Sequence, residues 1–233
     1  MADTLRNGTI GEVPRRGRRV AAGARRDPDA TKSKILAAAW HEFAQKGFAG
    51  ARVDAIAARS GANKRMIYHY FGDKEGLFVA VLEAAYDRVR SAELALDLEH
   101  MEPLAAMRRM VEFTFDSFVK DRSFIQLLNN ENLYKARHLK KSTRIARMHS
   151  PLIGMIDGIL RRGVAAGVFR AGIDPTQLWI SIAALGYFYF SNIHTLSTIF
   201  DRDLAEPMAL SERRAHVVQL VLDALRPGRT ARA

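Results

Sequence analysis

Residues 47–77 read GFAGARVDAIAARSGANKRMIYHYFGDKEGL, and two short apolar patterns flank a glycine in this segment. A first apolar pattern with Val53 and Ile56 stops at Gly61, and a second, from about residue 64 to 70, turns Ile67 and Phe71 inward. Two short helices joined by a tight turn are typical of a helix-turn-helix, in which the second helix enters the DNA major groove. The sequence therefore predicts a nucleic-acid-binding motif here.

The outer face of the second helix follows from its periodicity. With Ile67 at the centre of the buried face, a rotation of about 100° per residue puts Arg65 and His69 nearly opposite it. Arginine pairs with guanine, an apolar side chain contacts the thymine methyl group, and lysine and tyrosine contact phosphates. The predicted DNA-binding residues are Arg52, Lys64, Arg65, Met66, Tyr68, His69, Tyr70 and Lys74.

The same stretch resembles the DNA-binding domain of the TetR/AcrR family of bacterial transcriptional repressors. The residues at matching positions are Gly47, Phe48, Val53, Ile56, Ala57, Ser60, Gly61, Ile67, Tyr68, Tyr70, Phe71, Asp73, Lys74, Glu75 and Leu77. The sequence departs from the family at Ala51 and Arg52, which replace Thr or Ser, and at Ala62 and Asn63, which replace Val-Ser. The missing hydroxyl cap predicts a cost of about 1 kcal/mol at the second helix. We expect Arg52 to replace the phosphate contact that is lost with it.

The resemblance implies an all-α fold with two domains. A three-helix helix-turn-helix domain at 29–75 precedes a helical effector-binding and dimerisation domain at 76–228. It also implies a homodimer formed through about 175–195 and 211–226, and a pocket for a small-molecule effector among the middle helices. The implied function is a repressor that leaves its double-stranded operator when the effector binds. Residues 163–170, with the pattern GxxxGxFR, look like a feature of relatives of the pyrimidine-utilisation regulator RutR.

Helical spacing dominates from residue 29 onward, and no strand-type alternation is sustained. The first helix is predicted over 29–46, and Gly47 suits its left-handed end. Later helices are predicted to begin at Asp73, at Pro103, at Asp174 followed by Pro175, and at Ser211. Residues 178–190 are almost wholly apolar but too few to span a bilayer, which predicts a helix buried on most sides. The broad apolar face of the last helix predicts a partner subunit.

The middle helices carry the candidates for contact with an effector. A ligand pocket needs a few polar groups among apolar walls, and Asn129, Asn132 and Asn192 are the polar candidates. The whole predicted set is Phe113, Phe118, Phe124, Asn129, Asn132, Trp179, Tyr187 and Asn192. The sequence leaves open whether each of them lines a pocket or only packs in the core or at an interface.

Positive charge is concentrated at the front of the chain. The 233 residues carry a formal net charge of +11, and residues 1–74, with 15 basic and 7 acidic side chains, contribute +8 of it. Residues 1–28 hold seven arginines and no aromatic residue, which predicts a flexible basic arm. The arm either adds DNA contacts in the minor groove or on phosphates, or is a solvated tail. Residues 229–233 are predicted to be a short tail.

Several classes of site are excluded by composition and motif. The chain has no cysteine, so disulfides, thiolate zinc sites and a cysteine nucleophile are impossible. The seven histidines show no pair at four-residue spacing, and no phosphate-binding loop, nucleophile elbow or dinucleotide fingerprint appears. We therefore expect no metal, no cofactor, no enzymatic activity and no membrane partner. No apolar stretch follows the basic residues as in a secretory signal, so we expect a cytoplasmic protein.

Two alternatives remain open at the level of sequence. The basic front end would also suit a non-specific or architectural nucleic-acid-binding protein driven by charge. The helical remainder would also suit a small-molecule-binding enzyme whose basic front end is incidental.

Overall fold

The computed structural model describes residues 27–228, and within them it is helical without a strand. The α-helices of this range are α1 (Pro28–Gly50), α2 (Val53–Ser60), α3 (Lys64–Phe71), α4 (Lys74–Leu94), α5 (Pro103–Lys120), α6 (Arg122–Leu133), α7 (Thr143–Ala165), α8 (Pro175–Ser191), α9 (Ile193–Ile199) and α10 (Pro207–Leu225). A short 3-10 helix at Leu139–Lys141 lies between α6 and α7. The predicted arm lies outside the described residues except for Asp27 and Pro28, and the predicted tail lies outside them entirely.

The first helix is capped at its start and interrupted near its end. Asp27 accepts a hydrogen bond from the backbone N–H of Asp29 and caps α1 at its start, one residue earlier than predicted. Gly47 has a φ of 66° and interrupts the helix, as predicted, although a last turn resumes after it. The left-handed conformation favours glycine because it has no Cβ. Gly47 thereby redirects the chain toward α2.

Fully buried apolar side chains pack α1, α2, α3 and the start of α4 together, and these elements form the front unit of the chain. Ile35 and Phe43 of α1, Ile56 of α2, Ile67 of α3 and Phe78 of α4 are all fully buried. Each such side chain contributes roughly 1.5–3 kcal/mol relative to an exposed position. Because α2 and α3 each bury one large apolar residue, their remaining surface is left for polar side chains.

The long helix α4 joins this front unit to the rest of the chain. Asp73 accepts a hydrogen bond of 2.7 Å from the backbone N–H of Gly76 and caps α4, as predicted. Behind the cap, Leu77, Val81 and Ala85 form a fully buried row. α4 packs on α1 and α3 at its start and on α7 beyond, while α8 packs on α5, α7 and α10. A shift in the helices around α4 can therefore reach the front unit.

The GxxxGxFR stretch ties the end of α7 to the end of α10. Gly163 lies against the Phe169 ring, which would occupy the space of a Cβ at that position. Gly167, with a φ of 70°, ends α7 and turns the chain back. Arg170 then donates from its backbone N–H to Leu225 and from Nε to the Ala224 carbonyl, at 2.8 and 3.0 Å.

Two predictions about the last helices are wrong. α10 begins at Pro207, because proline suits the first helical turn, so Ser211 lies inside the helix and does not cap it. α8 is not buried on most sides of a single chain, since Ile180 is 52% and Phe188 58% exposed. Its apolar residues are divided between the core of the chain and an uncovered face. Within the described residues, no helix has the length and hydropathy required to cross a membrane.

Candidate nucleic-acid interface

The outer face of α3 is exposed, and Ile67 on the opposite face anchors the helix in the core. Asn63 begins the helix by accepting a hydrogen bond of 2.9 Å from the backbone N–H of Met66. Ile67 is fully buried, and Arg65 and His69 lie on the exposed side, as the periodicity predicts. Asn63, which stands where the TetR/AcrR pattern usually has serine, therefore caps α3. The helix presents its charged groups on a rigid scaffold.

A buried carboxylate holds the residue before α2, although the side-chain cap of that helix is missing. The side chain of Arg52 makes no capping hydrogen bond, but its backbone N–H donates to Glu42 Oε1 at 3.2 Å. Glu42 also accepts from Lys46 Nζ at 2.9 Å. Burial raises the pKa of Glu42, yet the hydrogen bonds from Lys46 and from the Arg52 backbone outweigh it, so the pKa is lowered overall. The carboxylate stays ionised and keeps the start of α2 in place.

The eight predicted DNA-binding residues fall into two groups by exposure. The exposed side chains are Arg52, Lys64, Arg65, Tyr68 and His69, and the partly buried ones are Met66, Tyr70 and Lys74. Lys64 Nζ lies 2.5 Å from Asp54 Oδ1 of α2, and this hydrogen bond raises the pKa of Lys64. A phosphate would have to replace Asp54 to contact Lys64. Tyr70 packs against the core, with its ring centroid 6.3 Å from that of Phe71.

Lys74 is held by the end of α1. Its Nζ lies 5.0 Å from the centroid of the Phe48 ring and donates to the Ala49 carbonyl at 3.3 Å. Partial burial lowers the pKa of Lys74. The ammonium group is thus positioned rather than freely solvated, beside the exposed N-terminal turn of α4, where backbone N–H groups also favour an anion.

Helix α6 forms the junction between the front unit and the rest of the chain. The backbone N–H of Phe48 donates to Asn130 Oδ1 at 2.9 Å, and Trp40 Nε1 donates to Ser123 Oγ at 2.6 Å. Glu131 of α6 accepts from the backbone N–H of His138, which lies beyond the helix, at 2.7 Å, and the centroid of the His138 ring lies 4.5 Å from that of Phe48. The orientation of α1 therefore depends on the position of α6.

A cavity of about 280 Å³, the inner cavity, lies among α4, α5, α6 and α8 and reaches the surface beside the exposed Ile180. Four residues of the predicted effector set line it: Phe118, Phe124, Trp179 and Tyr187. A wider cleft of about 720 Å³, lined by Phe113, shares Val89, Ser117 and Phe124 with the cavity. The cleft therefore lies beside the inner cavity, and the two share part of one wall. Among the described residues, no group of three or more potential metal-binding side chains occurs.

The three candidate asparagines occupy different places. Asn129 lies behind the cavity wall, where its Oδ1 accepts from the Tyr187 hydroxyl and from Ser191 Oγ. Asn132 is exposed and donates to the Leu128 carbonyl at 3.0 Å, while Asn192 donates to the Phe188 carbonyl at 2.9 Å. Asn132 thus bonds one turn back within α6 and Asn192 bonds to the last turn of α8, and neither lines the cavity or the cleft beside it.

Comparison with known proteins decides the family. Residues 35–81 match the family described as bacterial regulatory proteins, tetR family, and residues 103–221 match the tetracyclin repressor-like C-terminal domain. The transcriptional repressor NicS of Pseudomonas putida is 38% identical over 85% of this chain and 93% of its own length. The chain belongs to the TetR family. The resemblance predicted from residues 47–77 is confirmed, as is the all-α fold class.

Two further proteins of the TetR family are similar to most of the chain. The transcriptional regulator RutR of Escherichia coli is 27% identical over 94% of this chain and 99% of its own length. A bacterial regulatory protein of the tetR family from Rhodococcus RHA1 is 20% identical, with a TM-score of 0.64 over 84% of this chain and 97% of that chain. The second comparison shows a shared fold.

Two charged residues of the inner cavity are absent from the set predicted from the sequence. Arg90 and Glu93 line it and are 6% and 1% exposed. An arginine and a glutamate three residues apart on a helix are usually a solvent-facing pair. The signal that could have found Glu93 is its register, because it continues the row of Leu77, Val81, Ala85 and Val89 at four-residue spacing.

Proposed function

We propose that this TetR-family protein is a repressor that binds a twofold-symmetric operator as a homodimer and leaves it when a small molecule fills the inner cavity. The observation that carries the proposal is one chain with an exposed basic face on α3, anchored by Ile67, and a cavity among α4, α5, α6 and α8. Repression is supported by NicS, which is named a transcriptional repressor.

The uncovered face of α8 and α10 supports the predicted dimer. Ile180 and Phe188 of α8 and Leu220 of α10 are 52%, 58% and 45% exposed in the single chain. Large apolar side chains on two adjacent helices are typical of a subunit interface. A dimer through 175–195 and 211–226 would present two α3 helices to successive major grooves, about 34–36 Å apart.

Helix α6 offers a route for release from DNA. Phe124 and Leu128 of α6 line the cavity, and the next face of the same helix carries Asn130, which holds the backbone of Phe48. A ligand that displaces α6 would therefore change the orientation of α1 to α3 and the spacing of the two recognition helices. Its effect is limited to its differential affinity for the two geometries, typically about 1–3 kcal/mol.

Footprinting of the purified full chain on the DNA next to its own coding region tests the proposal. We expect a protected site with twofold symmetry that survives competition with bulk DNA at physiological salt. A specific regulator retains about 10³-fold or greater preference for its site. Equal binding to bulk DNA would instead support the non-specific nucleic-acid-binding alternative. Absence of any DNA binding would favour the small-molecule-binding enzyme.

A further inference from the structure

The inner cavity contains an incompletely satisfied pair of charged groups. Arg90 Nη1 lies 3.0 Å from Glu93 Oε2, an ion pair whose angles do not make a hydrogen bond. Arg90 Nε and Nη1 and Glu93 Oε2 are buried without a hydrogen-bond partner among the described residues. An unsatisfied buried N–H next to a charge costs free energy unless another group completes its hydrogen bonds. A ligand in the cavity is in position to do so.

The size and walls of the cavity favour a flat molecule. An apolar cavity of about 150 Å³ holds benzene, so about 280 Å³ holds one ring with a short substituent. The Arg90 guanidinium lies 5.0 Å from the centroid of the Trp179 ring, which orients it, and Phe118 and Phe124 add aromatic wall. A planar ring packs well against such walls.

The charges that face the cavity favour an anion. From α4 they are Arg90 and Glu93 with the Tyr86 phenol, and α8 adds the Tyr187 phenol, while α5 and α6 contribute uncharged side chains. Burial raises the pKa of Glu93 to about 7, against the opposing effect of Arg90. At neutral pH the carboxylate is therefore only partly ionised, and it leaves part of the arginine charge unbalanced.

The cleft beside the cavity has the same sign of charge. Arg88 pairs with Asp121, and Asp116 pairs with Arg214. Arg109 and Lys120 also line the cleft, and within residues 27–228 neither forms an ion pair with an acidic side chain. Two unbalanced cations next to the inner cavity attract an anionic ligand toward this part of the surface.

We propose that the inner cavity binds a small aromatic monocarboxylate, with its carboxylate on Arg90, the neutral carboxyl group of Glu93 beside it, and its ring against the aromatic wall. Taking this ligand as the effector rests on the proposed function, whereas its binding does not. A ligand carboxylate adds a second negative charge next to Glu93, and like charges favour the protonated form. Binding therefore takes up a proton on Glu93 whenever that group is ionised in the free protein.

The proton uptake fixes the sign of the pH dependence. Below about pH 7 Glu93 is already protonated, so affinity for the anion is constant. Above that pH each binding event must add a proton, and affinity falls by up to about tenfold per pH unit. A neutral ligand that donates an N–H to the ionised Glu93 carboxylate would show the opposite slope.

Titration calorimetry on the full chain, with benzoate, benzamide and toluene as probes, tests the site. We expect benzoate to bind at least about tenfold more tightly than benzamide, because hydrogen bonds to charged groups are the stronger ones. Its affinity should be constant up to about pH 7 and fall above it. Equal binding of the neutral probes, no binding of benzoate, or an affinity that rises with pH would overturn the proposal.

Variants on α4 separate the two charged groups. Arg90→Met should weaken benzoate by about 10- to 100-fold, and Glu93→Gln should retain binding but remove the pH dependence above about pH 7. Arg161→Met is the control, since Arg161 on α7 pairs with Asp157 and lines neither the cavity nor the cleft beside it, and it should change affinity by less than about threefold. If Arg90→Met does not fold by circular dichroism, the isosteric Glu93→Gln decides alone. An unchanged pH profile in Glu93→Gln contradicts the proposal.

A parallel measurement of operator binding keeps the two proposals apart. Benzoate binding with the expected pH profile, but without release of operator DNA, supports the anion site and contradicts the effector role of the cavity. Failure of benzoate to bind a protein that does bind its operator contradicts the anion site alone.

Discussion

Arg65 stands on the exposed side of α3, opposite the buried Ile67, where a guanidinium can reach base edges. We expect Arg65→Ala to relax base preference at one operator position, at a cost of about 1–3 kcal/mol. Mobility-shift titrations on single-base operator variants measure it. Lys74→Met is the matched control, since it keeps the apolar stem over Phe48 but should weaken all sequences alike and lower the salt slope by about one. Unchanged affinity and preference in Arg65→Ala would show that another surface reads the bases.

Gly47 and Gly61 differ in how strictly they require glycine. Gly61 has φ 68° and ψ 12°, and an added Cβ there meets open space. Gly47 has φ 66° and ψ 176°, a conformation essentially restricted to glycine, and an added Cβ would lie 2.2 Å from Asn130 Nδ2. We expect Gly61→Ala to lower the free energy of unfolding by about 1 kcal/mol. Gly47→Ala should lower it by at least about 1 kcal/mol more, since the backbone is more strained and Asn130 is displaced from the Phe48 N–H. Urea unfolding compares the two variants, and equal losses would contradict both reasons.

For single residues, the sequence predicts which way a side chain faces better than it predicts which distant residues that side chain contacts. The outward position of Arg65 follows from helical period and one anchor, because neighbouring residues alone determine it. The burial of Arg90 and Glu93 does not follow in this way, since it depends on α5 and α8, which lie far along the chain. The hydrogen bond from Phe48 to Asn130 spans 82 residues and leaves no local signal.

Among the helices, α6 carries two neighbouring asparagines whose side chains contact different parts of the molecule. Asn129 accepts from the Tyr187 hydroxyl behind the cavity wall, and Asn130 accepts from the Phe48 backbone at the front unit. Because consecutive residues on a helix point about 100° apart, one helix connects the two regions without a separate linker. The pair allows ligand binding and DNA binding to be perturbed separately.

We expect Asn130→Ala to weaken operator binding by about 1 kcal/mol, roughly fivefold, because the Phe48 N–H loses its acceptor and α1 is less well oriented. Its affinity for a cavity probe such as benzoate should not change. Asn129→Ala should do the reverse, since Tyr187 loses its acceptor while the front unit keeps its own. Mobility shift and calorimetry on both variants measure the two affinities. Identical profiles for the two variants would contradict the division of roles within α6.

Element boundaries follow from sequence where a cap or proline marks them. Asp73 and Asp174 cap α4 and α8 as predicted, because a short acidic side chain reaches the N–H groups of the next turn. The start predicted for α10 at Ser211 is wrong, because the helix begins at Pro207. Glu206, the residue before it, makes no side-chain capping hydrogen bond. α9 was missed because it follows α8 after one residue, Asn192, without a helix-breaking signal.

At the scale of the whole molecule, charge and apolar surface are separated along the chain. Residues 1–74 carry +8 of the net charge of +11, while the uncovered apolar side chains of α8 and α10 lie in the last third. The sequence predicts the need for a partner from the broad apolar face of α10. It cannot divide the apolar residues of α8 between core and interface, because both environments select the same side chains.

Phe188 tests whether that apolar face joins two copies of the chain. It is 58% exposed on α8, so Phe188→Asp should leave the single chain folded while placing a charge in the interface. We expect the variant to sediment as a monomer and to lose about 10²- to 10⁴-fold in operator affinity, because two linked reading heads gain that factor by avidity. Leu133→Asp is the control, since Leu133 at the end of α6 is 80% exposed and lies outside the predicted interface. If Phe188→Asp stays dimeric and binds its operator normally, the two copies must pair about a different twofold axis. The two α3 helices would then need another spacing to fit successive grooves.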